Sequence, residues 1–121
     1  LTMAGYMNFM GKEYENAIAW WKKSLEVDPD FTLAHNMLGY SYLQLGEMEK
    51  SKVHFNKYLA ANKNQANPYD SMGDYYMAAE RYDRAAEYYQ KALNIDSNLE
   101  QTSAKLQKAK SMQSSDGGSD R

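Results

Sequence analysis

The side chains that could act as metal ligands or nucleophiles are few in this chain, and their spacing matches no common site. The two histidines, His35 and His54, lie 19 residues apart in different predicted helices, without HExxH or comparable ligand spacing. The absence of cysteine excludes disulfides, thiolate zinc sites and cysteine nucleophiles. We therefore interpret both histidines as ordinary surface or boundary residues, and we expect neither a metal site nor a cofactor.

Carboxylates at helical spacing are the second candidate for chemistry. Asp70 and Asp74 stand at i and i+4, so they share one helix face and could support acid–base catalysis or bind a cation. On helical domains such pairs usually form a solvated surface, and no serine stands in a GxSxG context. The sequence therefore predicts a protein that is not an enzyme.

The composition excludes two classes of partner. The 121 residues carry 14 Lys and Arg against 16 Asp and Glu, a net charge of −2, so we expect no general affinity for nucleic acid. Hydrophobic residues make up 43% of the chain, but no apolar run has the length of a membrane span. The first residues do not resemble a signal peptide, which favours the cytoplasm and otherwise leaves the compartment open.

An internal repeat of 34 residues organises the chain, and it is clearest at Gly5, Gly39 and Gly73. The same step connects five further sets of like residues: Ala4, Leu38 and Met72; Tyr14, Met48 and Tyr82; Ala17, Ser51 and Ala85; Trp21, Phe55 and Tyr89; and Leu25, Leu59 and Leu93. Six sets in one register, without an insertion, are not expected by chance. The chain therefore consists of about three copies of one structural repeat.

The apolar spacing within each repeat is helical, with a break in the middle. Leu38, Tyr42 and Leu45 fall on one helix face, and Gly46 then suits a helix end because glycine accepts left-handed dihedrals. The repeat is thus predicted to be a helix, a tight turn and a second helix. Since glycine is unfavourable inside a helix, the repeated glycines predict close contact with the small residues of the facing helix. The repeated aromatics Trp21, Phe55 and Tyr89 are expected to fill the gap between successive repeats.

These residues resemble the tetratricopeptide-repeat family. The motif is carried by Leu38-Gly39 with Tyr42, by Met72-Gly73 with Tyr76, Tyr82, Ala85, Tyr89 and Ala92-Leu93, and by Tyr14, Ala17, Trp21, Leu25 and Asp28-Pro29. The resemblance implies an all-α fold, a right-handed α-solenoid of antiparallel helix pairs. The expected boundaries are 1–31 for a first repeat with a truncated first helix, 32–65 for the second, 66–98 for the third, 99–112 for a capping helix and 113–121 for a flexible tail. The truncated start and the absence of an initial Met suggest a piece of a longer protein.

The resemblance also implies a function, because such domains bind an extended peptide or a helix along their first helices. The stripe of those helices that packing leaves available is predicted to be the partner-binding groove: Tyr6, Phe9, Met10, Asn36, Tyr40, Leu43, Gln44, Asp70, Asp74 and Met77. Aromatic and apolar residues at one end, with Asp70 and Asp74 at the other, predict a partner with apolar side chains and at least one Lys or Arg.

Members of the family that bind the acidic C-terminus of heat-shock chaperones carry basic and Asn side chains at set groove positions. The corresponding positions here hold Thr2, Tyr6, Met37, Asn67 and Ser71. None of these residues is basic, so a chaperone C-terminus is not the expected ligand.

Two other functions stay open at this point. The chain could be an accessory domain of a larger enzyme, or a self-associating structural module. Trp20, His54 and Tyr88 share one repeat position next to the core aromatic and could form an outer aromatic strip. Half-buried packing within the fold is the favoured interpretation of that strip, and self-association is the alternative.

Overall fold

The computed structural model describes the backbone of residues 13–119 and the side chains of residues 13–113. Within that range the chain is all-α, with six helices and no strand, which confirms the predicted fold class of a solenoid of helix pairs. The helices are α1 (Tyr14–Val27), α2 (Leu33–Gln44), α3 (Met48–Ala61), α4 (Ala66–Ala78), α5 (Tyr82–Ile95) and α6 (Glu100–Ser119). The predicted groove residues Tyr6, Phe9 and Met10 lie outside the described residues.

The chain divides into two compact units, Leu1–Ala61 and Asn62–Arg121. The described part of the first unit contains α1, α2 and α3, and that of the second contains α4, α5 and α6. In the first unit α2 packs against both α1 and α3, and in the second α5 packs against both α4 and α6. The described part of each unit therefore has an antiparallel helix pair and one additional helix beside it.

The turn inside each pair uses a left-handed residue at the same repeat position. Gly46 between α2 and α3 has φ 77°, and Glu80 between α4 and α5 has φ 59°. In both turns the next amide reaches back to a tyrosine carbonyl: the Glu47 N–H donates to Tyr42 over 2.9 Å, and the Arg81 N–H donates to Tyr76 over 2.8 Å. The bond closes the helix end in the manner of a Schellman cap. Glu80 adopts this conformation without the freedom of glycine, at a cost of roughly 1–2 kcal/mol.

A helical glycine beneath an aromatic ring sets the separation of the two helices in each pair. A Cβ on Gly39 would lie 2.5 Å from two atoms of the Phe55 ring, and a Cβ on Gly73 would collide with the ring of Tyr89. Both rings are almost fully buried. Ser51 adds a hydrogen bond, because its Oγ donates to the Gly39 carbonyl over 2.7 Å. The close contact predicted between the paired helices is therefore confirmed.

The position of these rings corrects one detail of the sequence prediction. Phe55 and Tyr89 cover the glycine of their own repeat, whereas we expected them between successive repeats. Trp21 does lie between repeats, because it shares a buried cluster with Leu38 of α2 and its ring meets Phe31 at 6.2 Å. The physical reason is that a glycine leaves a hollow on its helix, and the flat ring of the facing helix packs into that hollow.

The last helix is longer than the sequence indicated. Thr102, Leu106 and Ala109 are buried, as expected for a helix that covers the end of the last repeat. The helix then continues to Ser119, beyond the predicted end at Met112. No proline follows Pro68, so nothing in the backbone prevents the helical hydrogen bonds from continuing.

The glycine–ring contact predicts that a substitution that would normally stabilise a helix lowers the free energy of unfolding here. Gly39→Ala should gain about 1 kcal/mol of helix propensity but lose about 1–3 kcal/mol through overpacking against Phe55. We expect a net loss of unfolding free energy in the wild-type background, measured by urea denaturation.

The Phe55→Leu background supplies the control, because the smaller side chain makes room for the added methyl group. There Gly39→Ala should become neutral or stabilising, which gives a favourable coupling between the two substitutions. Equal effects of Gly39→Ala in both backgrounds would contradict the contact.

Candidate functional site

The acidic pair of α4 is engaged by the last helix of its own unit. Lys105 on α6 places its Nζ 3.0 Å from Asp70 Oδ2 and 3.1 Å from a carboxylate oxygen of Asp74. Thr102, one turn earlier on α6, donates from its Oγ1 to Asp70 Oδ1 over 2.7 Å. The i, i+4 spacing on α4 and the i, i+3 spacing on α6 direct all four side chains into one network.

The network is partly buried and extends into the core. Tyr89 donates from its buried hydroxyl to Asp74 Oδ1 over 2.6 Å. Burial lowers the pKa of Lys105, but attraction to Asp74 and the hydrogen bond to Asp70 outweigh it, so the pKa is raised overall. Lys105 therefore stays protonated, and two carboxylates share one ammonium with a net charge of −1. The sequence identified Asp70 and Asp74 as groove residues, and the structure adds that both are bound to Lys105.

An open cleft of about 680 Å³ lies beside this network, between the first turns of α4 and α6. Its lining includes the carboxylates of Asp70, Asp96 and Glu100, together with Lys105. Asp96 also accepts a backbone hydrogen bond from Asn98 over 3.0 Å, which holds the segment before α6 in place. Because the ammonium of Lys105 is committed to Asp70 and Asp74, the cleft presents an excess of negative charge.

The other predicted groove residues differ in their exposure. On α2, Asn36 is only 7% exposed, so the accessibility that the sequence predicted is not found there. Tyr40 is half-buried, with its ring edge against Phe55 at 4.8 Å and 81°, and Leu43 is also half-buried. Gln44 is exposed, and Met77 in the second unit is half-buried.

The two histidines, which the sequence separated, meet between α2 and α3. His35 Nδ1 lies 3.0 Å from His54 Nδ1, with ring centroids 5.2 Å apart and planes at 22°. One ring donates and the other accepts, according to the tautomers. The His54 ring also stacks on Tyr42 at 5.6 Å and 15°. The register of an antiparallel helix pair around the turn at Gly46 is the sequence signal that could have revealed this contact.

Both histidines are held in the neutral form. Burial lowers the pKa of His54 to about 4, with further lowering by His35, Lys57 and Lys22. Burial and then Lys57 lower the pKa of His35 as well. Lys22 and Lys50 each lie over the Tyr42 ring, at 5.8 and 5.6 Å. Near pH 7 the pair is therefore two neutral imidazoles within a cationic and aromatic environment.

The outer aromatic strip of Trp20, His54 and Tyr88 packs within the fold. All three side chains are half-buried, and Trp20 packs against the core of the first unit. Tyr88 stacks on Tyr76 at 5.5 Å and 11°, in the same way as His54 stacks on Tyr42. The favoured interpretation of the strip, half-buried packing, is thus confirmed.

Cations accompany the stack in the second unit too. Arg84 lies 5.2 Å over Tyr76, and Lys91 lies 4.9 Å over Tyr88. Lys50 and Arg84 are one repeat apart, so the arrangement of a cation over the stacked tyrosine recurs with the 34-residue step. It stabilises the outer side of each helix pair.

Larger metal-binding groups were not found in the part of the chain that the structure describes. Among residues 13–113, no three or more His, Cys, Asp or Glu side chains converge in a way that could hold a metal ion. No helix in the described range combines the length and the apolar character that crossing a membrane requires.

Comparison with known proteins gives matches over most of the chain. Family models match in three segments: "TPR repeat" at residues 5–46, and "Tetratricopeptide repeat" at 33–65 under one model and at 66–99 under another. Among curated proteins, Anaphase-promoting complex subunit 3 of Schizosaccharomyces pombe is 29% identical over 87 residues, which cover 72% of this chain. The matched segment covers only 13% of that much longer protein.

Several solved structures share the fold at low sequence identity. The first TPR domain of human RPAP3 superimposes with a TM-score of 0.86 at 20% identity, covering 97% of this chain and 92% of that one. The first TPR of Spaghetti (RPAP3), bound to the HSP90 peptide SRMEEVD, superimposes with a TM-score of 0.80 at 20% identity, covering 93% of this chain and 89% of that one. The TPR2B domain of yeast Sti1, in complex with pHsp70, superimposes with a TM-score of 0.79 at 16% identity, covering 91% of this chain and 93% of that one.

The ion-pair network between α4 and α6 predicts that removing the Lys105 ammonium lowers the free energy of unfolding. In Lys105→Met, Asp70 and Asp74 lose the ammonium that they share while they stay partly buried. We expect a loss of about 1–2 kcal/mol of unfolding free energy. Lys108→Met, an exposed position on the same helix, should change stability little. Adding Asp70→Asn and Asp74→Asn to Lys105→Met should restore much of the loss, and no recovery in that triple variant would contradict the network.

Acid should weaken the histidine contact. The pKa of His54 is about 4 in the folded chain against an ordinary 6.5, so the unfolded chain binds more protons between these values. The contribution of neutral His54 to the free energy of unfolding is therefore fully present above pH 6.5 and is lost as the pH falls towards 4. Urea denaturation from about pH 7 to about pH 4.5 should show this slope in the wild type and a smaller slope in His54→Tyr. Identical slopes would show that the contact does not govern acid sensitivity.

Proposed function

We propose that this chain, which belongs to the tetratricopeptide-repeat family, is a non-catalytic module that binds a peptide or helix of another protein. The solved relatives that carry bound chaperone peptides support a protein-binding role for this kind of fold. The observation that carries the proposal here is the open acidic cleft of the second unit. A cleft of this size accommodates several side chains of a peptide, and its charge selects among them.

The charge of the cleft favours a basic partner. Asp96 and Glu100 line it in addition to Asp70, whereas the ammonium of Lys105 is already bound by two carboxylates. A Lys or Arg side chain of the partner would meet uncompensated negative charge at the entrance of the cleft. The partner is therefore a segment with at least one basic residue.

The same charges disfavour the acidic C-terminus of a heat-shock chaperone as the partner. A terminal carboxylate requires free cations, but Asn67 and Ser71 stand at two of the groove positions where family members that bind such a terminus carry basic and Asn side chains, and neither residue is basic. Ser71 is also buried. The only cation that lines the described cleft is Lys105, and Asp70 and Asp74 compete with any carboxylate that approaches it.

Each unit by itself also offers half-buried apolar surface for a partner, on α2 in the first unit and on α4 in the second. Tyr40 and Leu43 on α2 each expose part of an apolar side chain, as does Met77 on α4 in the other unit. The Tyr40 ring is fixed by its edge contact with Phe55, so little conformational entropy is lost when a partner covers it. Within the second unit alone, a partner segment bound there would combine a basic side chain at the acidic cleft with an apolar one that contacts Met77.

The test is a peptide-display selection against the full chain, followed by titration of the selected peptides. We expect enrichment of peptides with Lys or Arg beside apolar residues. Asp96→Asn with Glu100→Gln should weaken their binding about threefold to tenfold, because each partly exposed ion pair contributes about 0.2–1 kcal/mol. The Asn at position 96 can still accept the hydrogen bond that orders the turn.

A matched control removes the same charge elsewhere in the unit. Asp83→Asn with Glu87→Gln changes two exposed carboxylates of α5 that do not line the cleft. It should reduce binding much less than the cleft variant. Equal losses in the two variants, or selection of peptides with acidic C-termini, would refute the proposed acidic cleft.

A further inference from the structure

The acidic cleft of the second unit already contains a basic side chain of its own. Lys105 lines the cleft, and its Nζ lies 3.0 Å from Asp70 Oδ2 and 3.1 Å from a carboxylate oxygen of Asp74. Building on the proposed function, we propose that Lys105 is an internal competitor of the partner. Its ammonium occupies the carboxylates that a basic side chain of the partner binds, and the partner has to displace it. Lys105 thereby sets the affinity of the cleft for basic segments.

The two carboxylates are held in place independently of Lys105. Asp70 accepts a hydrogen bond from Thr102 Oγ1 over 2.7 Å, and Asp74 accepts one from the Tyr89 hydroxyl over 2.6 Å. Thr102 and Tyr89 are almost fully buried, so packing fixes both donors. The carboxylates therefore keep their positions when the ammonium leaves, and an incoming cation finds the same pair of acceptors.

The ammonium belongs to the most accessible side chain of the three. The Lys105 side chain is 35% exposed, against 14% for Asp70 and 20% for Asp74. A lysine stem is flexible and its ammonium is strongly hydrated, so the side chain can extend into water without a change of the backbone. Partly exposed ion pairs are also weak, so the further contacts of a bound segment can outweigh them.

The packing of α6 does not depend on the charge of Lys105. Leu106 and Ala109 are buried on this helix, which packs against α5. One and two repeats earlier, the position of Lys105 is occupied by Ser71 and Met37, which are uncharged. The repeat therefore does not require a cation at this position, and the ammonium acts on the carboxylates of α4.

The exchange of one cation for another preserves the charge balance. One basic group is shared by the two carboxylates before and after the exchange, so neither is left unpaired at a partly buried position. Asp96 and Glu100 are exposed and line the same cleft, where they attract the incoming cation. Without a partner, Lys105 is tethered beside its acceptors at high effective concentration. The apparent affinity is then the intrinsic affinity multiplied by the fraction of chains whose acceptors are open.

The first test is a titration of the full chain with fluorescein-labelled hexa-arginine at low ionic strength, followed by fluorescence anisotropy. Lys105→Gln should bind this probe about threefold to tenfold more tightly than the wild type, because the competitor is removed. Lys108→Gln is the matched control, since it removes the same charge from an exposed position of the same helix. It should change the affinity less than about twofold. Circular dichroism verifies the fold of each variant.

Two combined variants locate the gain in affinity. Adding Asp70→Asn and Asp74→Asn to Lys105→Gln should abolish the gain, because the freed acceptors are removed. Adding Asp83→Asn and Glu87→Gln instead removes two exposed carboxylates outside the cleft and should retain most of the gain. Equal losses in the two combinations would overturn the proposal.

Displacement of Lys105 is also observable in the wild-type chain, which removes any dependence on folded variants. In the ¹⁵N-labelled protein, the Lys105 Nζ resonance, assigned by its absence in Lys105→Gln, should move towards that of a hydrated lysine as hexa-arginine saturates the chain. A Lys105 Nζ resonance that stays unchanged at saturation would show that the probe does not displace it, and the proposal would be wrong.

The outcomes separate the internal competitor from the proposed function. If Asp96→Asn with Glu100→Gln weakens binding but Lys105→Gln tightens it no more than Lys108→Gln does, the acidic cleft stands and the internal competitor is refuted. If Lys105→Gln tightens binding of the probe and the Asp96 and Glu100 substitutions have no effect, the internal competitor stands and the role proposed for those two carboxylates is refuted.

Discussion

The contact between a helical glycine and an aromatic ring determines most of what this structure can do. In the first unit Phe55 lies on Gly39, and in the second Tyr89 lies on Gly73. A side chain on either glycine would push the helices apart, so the contact fixes both their separation and their register. Register then decides which other residues meet. It brings His54 to Tyr42 in one pair and Tyr88 to Tyr76 in the other.

The repeat also explains why equivalent positions serve different purposes. Tyr89 uses its hydroxyl to hold Asp74, whereas Phe55 one repeat earlier has no hydroxyl and meets the ring of Tyr40 instead. In the same way, a histidine replaces tyrosine at position 54 and finds a second histidine within hydrogen-bond distance. The packing scheme tolerates these exchanges because ring size and shape are retained. Polar atoms at the ring edge are then free to acquire a local role.

Periodicity made the helices, the turn at Gly46 and the glycine contact predictable, because these depend on which face of a helix a residue occupies. It did not predict partners that depend on the reach and direction of a side chain. Lys105 shows this, because nothing in the periodicity indicates that its long side chain reaches Asp70 and Asp74. The extent of α6 was missed because glycine and serine near its end lower helix propensity without preventing a helix.

The predicted groove followed from family resemblance, and it stays a prediction. What the structure adds is a local charge pattern: a bound lysine and a cleft with unpaired acidic character in the second unit. Asn36 is unsuitable for a large contact because it is buried, while Tyr40 and Leu43 keep part of their surface exposed. The positions between the repeated packing residues thus distinguish this chain from others with the same fold.

The most direct test of this account is the geometry of the glycine–ring contact in solution. Nuclear Overhauser spectra should show strong cross-peaks between the Gly39 Hα protons and the Phe55 ring, and between the Gly73 Hα protons and the Tyr89 ring. The ring currents should shift the Hα resonances of both glycines away from ordinary helical values. Missing cross-peaks with unshifted glycine resonances would contradict the claim that these contacts set the register of the helix pairs.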